Sequence, residues 1–396
     1  MNRSPVRVDG KETLRRLKEG ARSLFAANGY RGVSIPMIAK MVGIKTPSFY
    51  HYFNDKTAIY EDIVESSMSS FEREMSFSGG NDLEDYLRRF FSRYLNFMID
   101  FPEDYRIIKE ATHFNNHVQE RSKAIMNGVL ESLPLNALDH DRQRMLELFL
   151  TSPVRWIGNH KSLRKDFKLD RNAIVNSLVD FALHGMCFGK HRTANEAYVV
   201  SFKPLLVDMK STKASLLEAA EELFGSKGFH ETHISDITRR AGVALGTFYV
   251  HFSNKKAILE ELIGITLRGL KNTVSAILWN FSDRRDAEIA GYKANLEYFK
   301  VHYNMCNIVM ETEFTYPEIW KGYYDKIQLP WERALQKAIR IREIRQIDPS
   351  TLSLFLMGIG HYLTQELVIY HRGTSDDFSR ALRLLAPYIC RGIHST

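Results

Sequence analysis

Residues 29–53, GYRGVSIPMIAKMVGIKTPSFYHYF, return 199 positions later as residues 228–252, GFHETHISDITRRAGVALGTFYVHF, with no insertion or deletion. The register extends outward. Ala21, Leu24 and Phe25 meet Ala220, Leu223 and Phe224, and Ile35, Ile38, Gly43, Phe49, Tyr50, Phe53, Lys56, Ala58 and Ile59 meet identical residues at the same offset. A repeat of that period is a duplicated domain, since a solenoid repeats every few tens of residues.

Each copy reads as three short helices. Leu14, Leu17, Ala21, Leu24 and Phe25 share one helical face, and Asn28-Gly29 supplies a left-handed exit. Ser34 is placed to cap a second helix running to Val42, with Pro36 in the tolerated first turn and Gly43 as the exit. Thr46-Pro47 then opens a third helix of one or two turns, ending at Tyr52-Phe53. Two helices across a short glycine turn form a helix-turn-helix, whose second helix enters the DNA major groove.

In both halves a first helix ends in Leu-Phe followed by Gly-aromatic. A Gly-aliphatic turn, a Phe-Tyr-x-x-Phe recognition helix and a Lys at the next helix start follow. The pattern, about fifty residues in each half, resembles the TetR/AcrR family of regulators. The resemblance implies an all-α fold of two TetR-like units, each an N-terminal helix-turn-helix head on an α-helical ligand-binding and dimerisation body. It also implies that the last two helices of each half build a four-helix dimer interface.

Charge placement agrees with a DNA-binding role. The net charge is +7, of which residues 11–60 carry +6 and residues 210–259 carry +2, leaving the rest of the chain at −1. Basic residues confined to the two heads are the footprint of a polyanion partner. Scattered solubilising charge would not be confined in that way. No uninterrupted apolar run approaches bilayer length, and residues 1–10 hold no apolar core segment, so neither a membrane partner nor a secretory signal is expected. Cys187, Cys306 and Cys390 are too widely spaced for a disulfide framework or a zinc finger. The expected location is cytoplasmic.

The chain divides into head one at 1–56, body one at 57–190, a linker at 191–210, head two at 211–255 and body two at 256–396. In body two a helix is expected from Pro330 to Arg342, and the apolar stretches around Ile174, Leu178 and Phe181 and around Leu354, Leu384 and Leu385 are expected to meet within the chain. A linker of about 20 residues reaches ~65 to 70 Å when extended, enough for the halves to fold on each other as an intrachain pseudo-dimer. Nothing in the sequence excludes two such chains pairing further as a homodimer.

Lys45, Thr46, Pro47, Ser48, Tyr50, His51 and Lys56 are the DNA-binding candidates of head one, and Ala244, Leu245, Gly246, Thr247, Tyr249, Val250 and Lys255 those of head two. Residues opening the short helix reach base edges, hydroxyls by hydrogen bonds and apolar groups through thymine methyls. The tyrosine hydroxyls, Lys56 and Lys255 suit phosphates. Head two lacks a charge and a polar cap at its helix start, and His233 replaces Ser34, so the partner duplex is expected to be an imperfect palindrome.

The bodies are aromatic-rich. The resemblance implies an apolar cavity for a small apolar effector, with Phe90, Tyr94, Phe97, His113 and His117 in the first body and Tyr298, His302, Phe314 and Trp320 in the second as candidates. His113 and His117, four apart, would share a face on one helix, as would His302 and Cys306, but HFNNH lacks the glutamate base of a metallohydrolase and shows no third ligand. No metal, cofactor or catalytic residue is expected. The reading is a DNA-binding transcriptional regulator, a repressor released by its effector; the alternative is a ligand-independent architectural protein whose bodies serve only as dimerisation scaffold.

Overall fold

The computed structural model describes residues 8–77, 82–133, 138–163, 170–188 and 211–393. Among them there are eighteen α-helices, one π-helical turn and no strand. The expected linker at 191–210 lies outside the described residues. The helices fall into two compact units, residues 1–81 with 93–133, and residues 82–92 with 134–396.

The first unit holds α1 (Val8–Asn28), α2 (Ile35–Val42), α3 (Thr46–Phe49), α4 (Lys56–Met75), the later turns of α5 (Leu83–Asp100), α6 (Pro102–Phe114) and α7 (Asn116–Glu131). Its head closes because Leu17, Ala21 and Phe25 on α1, Ile38 on α2, Phe49 on α3 and Ile59 on α4 are all removed from water. Gly43 ends α2 in the left-handed conformation at φ 73°. Ser34 precedes α2 with extended backbone but makes no side-chain cap hydrogen bond, and α3 is shorter than expected, ending at Phe49. Below the head, Phe71 on α4 packs on Tyr94 and Phe97, ring centroids 5.8 and 5.1 Å apart.

The second unit holds the first turns of α5, then α8 (His140–Leu163), α9 (Arg171–His184), α10 (Thr212–Lys227), α11 (Ile234–Arg240), α12 (Leu245–His251), α13 (Lys255–Leu278), α14 (Arg284–Val301), α15 (Tyr303–Thr315), α16 (Pro317–Arg340), α17 (Pro349–Thr364) and α18 (Ser375–Arg391). A π-helical turn, Gln365–Tyr370, continues α17. Pro330 does not open a helix as expected; it lies inside α16, which starts earlier at Pro317 in the first-turn position where a missing N–H costs nothing. The combined segment Pro349–Tyr370 is long and apolar enough to cross a membrane, contrary to the expectation that no stretch approaches that length, but most of it is buried inside the unit.

The compact units do not follow the division at the linker. The closing helices of the first half, α8 and α9, pack with α17 and α18 of the second, and α8 against α17 is the most extensive helix pairing among the described residues. Phe181 meets Phe355 at 5.3 Å, Phe149 meets Tyr388 at 5.7 Å and Trp156 meets Trp320 at 5.2 Å between ring centroids. Leu178, Leu354 and Leu385 are buried in this bundle, and Ile174 and Leu384 are half-buried. Gly358 sets the approach: a Cβ there would lie 2.6 Å from the Ser152 carbonyl oxygen and 2.7 Å from the Trp156 Cβ. Polar bonds fix the register, with Asn159 Nδ2 donating to Tyr362 Oη at 3.1 Å and the Met186 and Cys187 amides donating to the Ile389 and Cys390 carbonyls at 2.9 and 2.8 Å. The four-helix interface is therefore made within one chain.

Candidate nucleic-acid interface and effector cavity

Each head turns its third helix outward by burying one aromatic. Phe49 and Phe248 are fully buried, and that fixes the rotation of α3 and α12. In head one Lys45, Pro47, Tyr50 and His51 are left exposed, with Thr46 and Ser48 half-buried; in head two Ala244, Leu245, Gly246, Tyr249 and Val250 are exposed and Thr247 is half-buried. Met37 and Met41 on α2 share the exposed surface of head one. Sequence reasoning missed both, because methionine on an amphipathic helix reads as core. Ser34 makes no cap hydrogen bond in head one, whereas at the matching helix start of head two Asp236 accepts the His233 amide at 3.2 Å.

The expected role of Lys56 and Lys255 does not match their surroundings. Lys56 Nζ donates to the Tyr30 and Val33 carbonyls at 2.9 and 3.0 Å, and Lys255 Nζ donates to those of Phe229 and Thr232 at 2.6 and 2.7 Å. Each ammonium also sits over the ring of the same aromatic, 4.1 Å from the Tyr30 centroid and 4.2 Å from that of Phe229. Burial pushes the Lys255 ammonium below its usual range, with Glu311 and Glu231 opposing. The repeated lysine therefore ties the turn between the first two helices. A position at a helix start had suggested phosphate because sequence cannot show that the exit of α1 folds back over it.

A repeated carboxylate completes that tie. Glu110 on α6 accepts the Tyr30 amide at 2.7 Å, and Glu311 on α15 accepts the Phe229 amide at 3.2 and 3.1 Å. In each half one residue is held at its carbonyl by a lysine of the head and at its amide by a glutamate of the body. Burial raises the Glu110 carboxyl to about 7, against the lowering effect of the Tyr30 amide, Arg106, Arg31 and Lys56.

Body two contains a cavity of about 300 Å³ between α13, α14, α16 and α17. Its walls are largely apolar, with Leu270, Val274, Phe299, Met310 and Ile327 among them. Polar groups lie at intervals: Trp331 Nε1 donates to both oxygens of the buried Glu288 at 2.9 Å, Glu288 also pairs with Arg284, and the Tyr324 hydroxyl bonds His361 Nδ1 at 2.7 Å.

The candidates chosen from sequence are not its lining. Tyr298, His302, Phe314 and Trp320 stand outside the set of lining residues, while their neighbours Phe299, Tyr323 and Tyr324 are in it. The aromatic segments were identified, but on α14 the face was misassigned, because Tyr298 and Phe299, one apart on a helix, point about 100° apart. Tyr298 instead donates to the Thr266 carbonyl at 3.2 Å and Trp320 stacks in the α8–α17 bundle. In body one Phe90, Tyr94 and Phe97 are buried. His113 and His117 do not share a helix, since Asn115 ends α6 and caps α7. Burial, with Lys109 and Arg31 nearby, pushes the His113 imidazole down to about 4, whereas His117 is exposed. No group of three metal-ligating side chains occurs among the described residues.

The model of "Bacterial regulatory proteins, tetR family" matches residues 17–63 and again residues 216–262, which are the two heads. The chain belongs to the tetR family. It carries the family's head twice, in keeping with a tandem duplication of the whole unit. Its relatives include the uncharacterized HTH-type transcriptional regulators YerO and YvdT of Bacillus subtilis. YerO is 27% identical over 163 residues, 39% of this chain and 55% of YerO; YvdT is 43% identical over 60 residues, 14% of this chain and 31% of YvdT. The chain thus spans about half the length, or less, of the curated relatives it matches. Among solved structures, the transcriptional regulator FadR from Bacillus subtilis in complex with stearoyl-CoA is 18% identical over 43% of this chain and 96% of that one, with a TM-score of 0.39. This tetR-family chain is all-helical among its described residues, as the family resemblance implied.

Proposed function

We propose that the chain is a cytoplasmic, sequence-specific DNA-binding transcriptional regulator, a repressor that reads one imperfectly palindromic operator with two unlike heads and is released by a small apolar molecule. The observation that carries this reading is the presence, in one chain, of two tetR-family heads whose outward helices expose different side chains, Lys45 and His51 in one and Ala244 and Val250 in the other. Head one supplies hydrogen bonds to base edges from Thr46 and Ser48 and phosphate contacts from Lys45 and Tyr50. Head two supplies the corresponding contacts from Ala244, Leu245, Gly246, Thr247, Tyr249 and Val250. Half-sites read by such heads on one face of the duplex lie about one helical turn, ~34 to 36 Å, or a multiple of it apart.

The α13–α17 cavity favours a ligand-responsive regulator over an architectural protein. A molecule bound there acts only through its differential affinity for DNA-competent and DNA-incompetent arrangements of the chain. Enrichment of duplexes from a random pool by the full-length chain tests the reading. It requires a single enriched site with two unlike halves; a site with two identical halves would mean that two chains each contribute the same head, and no enrichment would remove the DNA-binding function altogether.

A further inference from the structure

The two outward helices differ most at three matched positions. Where head one has Lys45, Thr46 and His51, head two has Ala244, Leu245 and Val250. Leu245 is 52% exposed and Val250 78% exposed, while the core contact of α12 is made by the fully buried Phe248. Neither exposed side chain therefore serves the folding of the head.

The cations of head two are also largely occupied. Lys213 pairs with Glu261 at 3.1 Å and Arg240 with Glu222 at 2.5 Å; Arg239 pairs with Asp236, and Lys255 is held by backbone carbonyls. In head one Lys40 and Lys45 are exposed, and no ion pair of theirs occurs among the described residues. Each carboxylate beside a cation opposes its attraction to phosphate, so the sequence-independent part of binding is weaker at head two. Beside the Thr247 and Tyr249 hydroxyls, this head is then held on DNA by the gain from covering its apolar face. In the major groove the atom that rewards an apolar side chain is the thymine 5-methyl carbon.

We infer that head two is a thymine reader, in which Leu245 and Val250 pack on the 5-methyl groups of thymines in its half-site while head one reads its own half-site mainly by hydrogen bonds. The inference rests on the DNA-binding reading above and names what one of the two heads selects.

The full-length chain and the duplex it enriches from a random pool provide the test. That duplex is resynthesised with deoxyuridine for thymine in one half-site or the other, which removes only the methyl groups. Each methyl removed beneath head two is expected to weaken binding about threefold to fivefold, and removal beneath head one to weaken it by less than about twofold. Leu245→Ala and Val250→Ala, at exposed positions that leave the fold intact, should bind the two duplexes equally. A head-two half-site without thymine, or undiminished sensitivity to deoxyuridine in the Leu245→Ala/Val250→Ala double variant, overturns the assignment while DNA binding stands. A pool that yields no enriched site overturns both.

Discussion

Glu110 accepts the backbone amide of Tyr30 at 2.7 Å, and Lys56 donates to the carbonyl of that same residue at 2.9 Å. The carboxyl belongs to the body and the peptide to the head, so this bond is one of the points at which α6 holds the end of α1. Burial raises the folded-state pKa of Glu110 to about 7, above its unfolded value. An acid shifted upward favours the folded state when protonated. Its contribution is fully present below the unfolded pKa and is lost as pH rises through the folded one. Urea unfolding of the chain should therefore show stability falling by ~2 to 3 kcal/mol between pH 5 and pH 8 from this group. Glu110→Gln should flatten that part of the profile, and an unchanged slope would show that the carboxyl does not titrate there.

Lys56 and Lys45 should separate by readout. Lys56→Met leaves two carbonyls of the α1–α2 turn without their donor and should lower the stability of head one by ~1 to 3 kcal/mol. Lys45→Gln, at an exposed position, should leave stability unchanged and reduce the slope of log affinity against log salt by ~0.9. Salt titration and thermal melts of both variants decide it; a slope change of that size in Lys56→Met with unchanged melting would restore Lys56 as a phosphate contact.

Gly358 and Gly246 form a matched pair. A Cβ at Gly358 would fall 2.6 Å from the Ser152 carbonyl oxygen, whereas one at Gly246 meets nothing within 4 Å. Gly358→Ala should force α8 and α17 apart at a cost of ~1 to 3 kcal/mol. Gly246→Ala, inside α12, should be neutral or stabilise by ~0.5 to 1 kcal/mol. Equal melting temperatures for the two variants would mean that the α8–α17 contact yields.

Because α8 and α9 cover α17 and α18 of their own chain, the four-helix interface needs no second copy. Sedimentation of dilute protein should give the mass of one chain. A stable two-chain species that dissociates only with unfolding would place that interface between chains instead.

The cavity can be closed without touching either head. Gly291 lines it, and a Cβ there makes only an ordinary 3.5 Å contact with Leu278. Gly291→Leu should fill part of the space, raise the melting temperature and abolish binding of an apolar fluorescent dye such as anilinonaphthalene sulfonate, while DNA binding persists. Undiminished dye binding would locate the dye elsewhere.

The sequence by itself determined the duplication, the helical class and the helix ends at Gly29 and Gly43. Those features are set by local periodicity, by backbone conformations that glycine tolerates, and by an offset that can be counted. It also placed Phe181 and Leu354 in a common bundle, because two matched apolar helix pairs in one chain leave few other ways to be buried. Only the tertiary structure decided what Lys56 and Lys255 hold, since their partners are backbone atoms that no pattern of side chains reveals. It alone moved the cavity wall from Tyr298 to Phe299, a matter of helix rotation fixed by the packing of α14 against its neighbours. It likewise separated His113 from His117, where a break at Asn115 cancels a spacing that is meaningful only on one continuous helix. Composition sets how much apolar surface a body must bury; which side of each helix is left lining a void depends on the neighbours that arrive from 200 residues away.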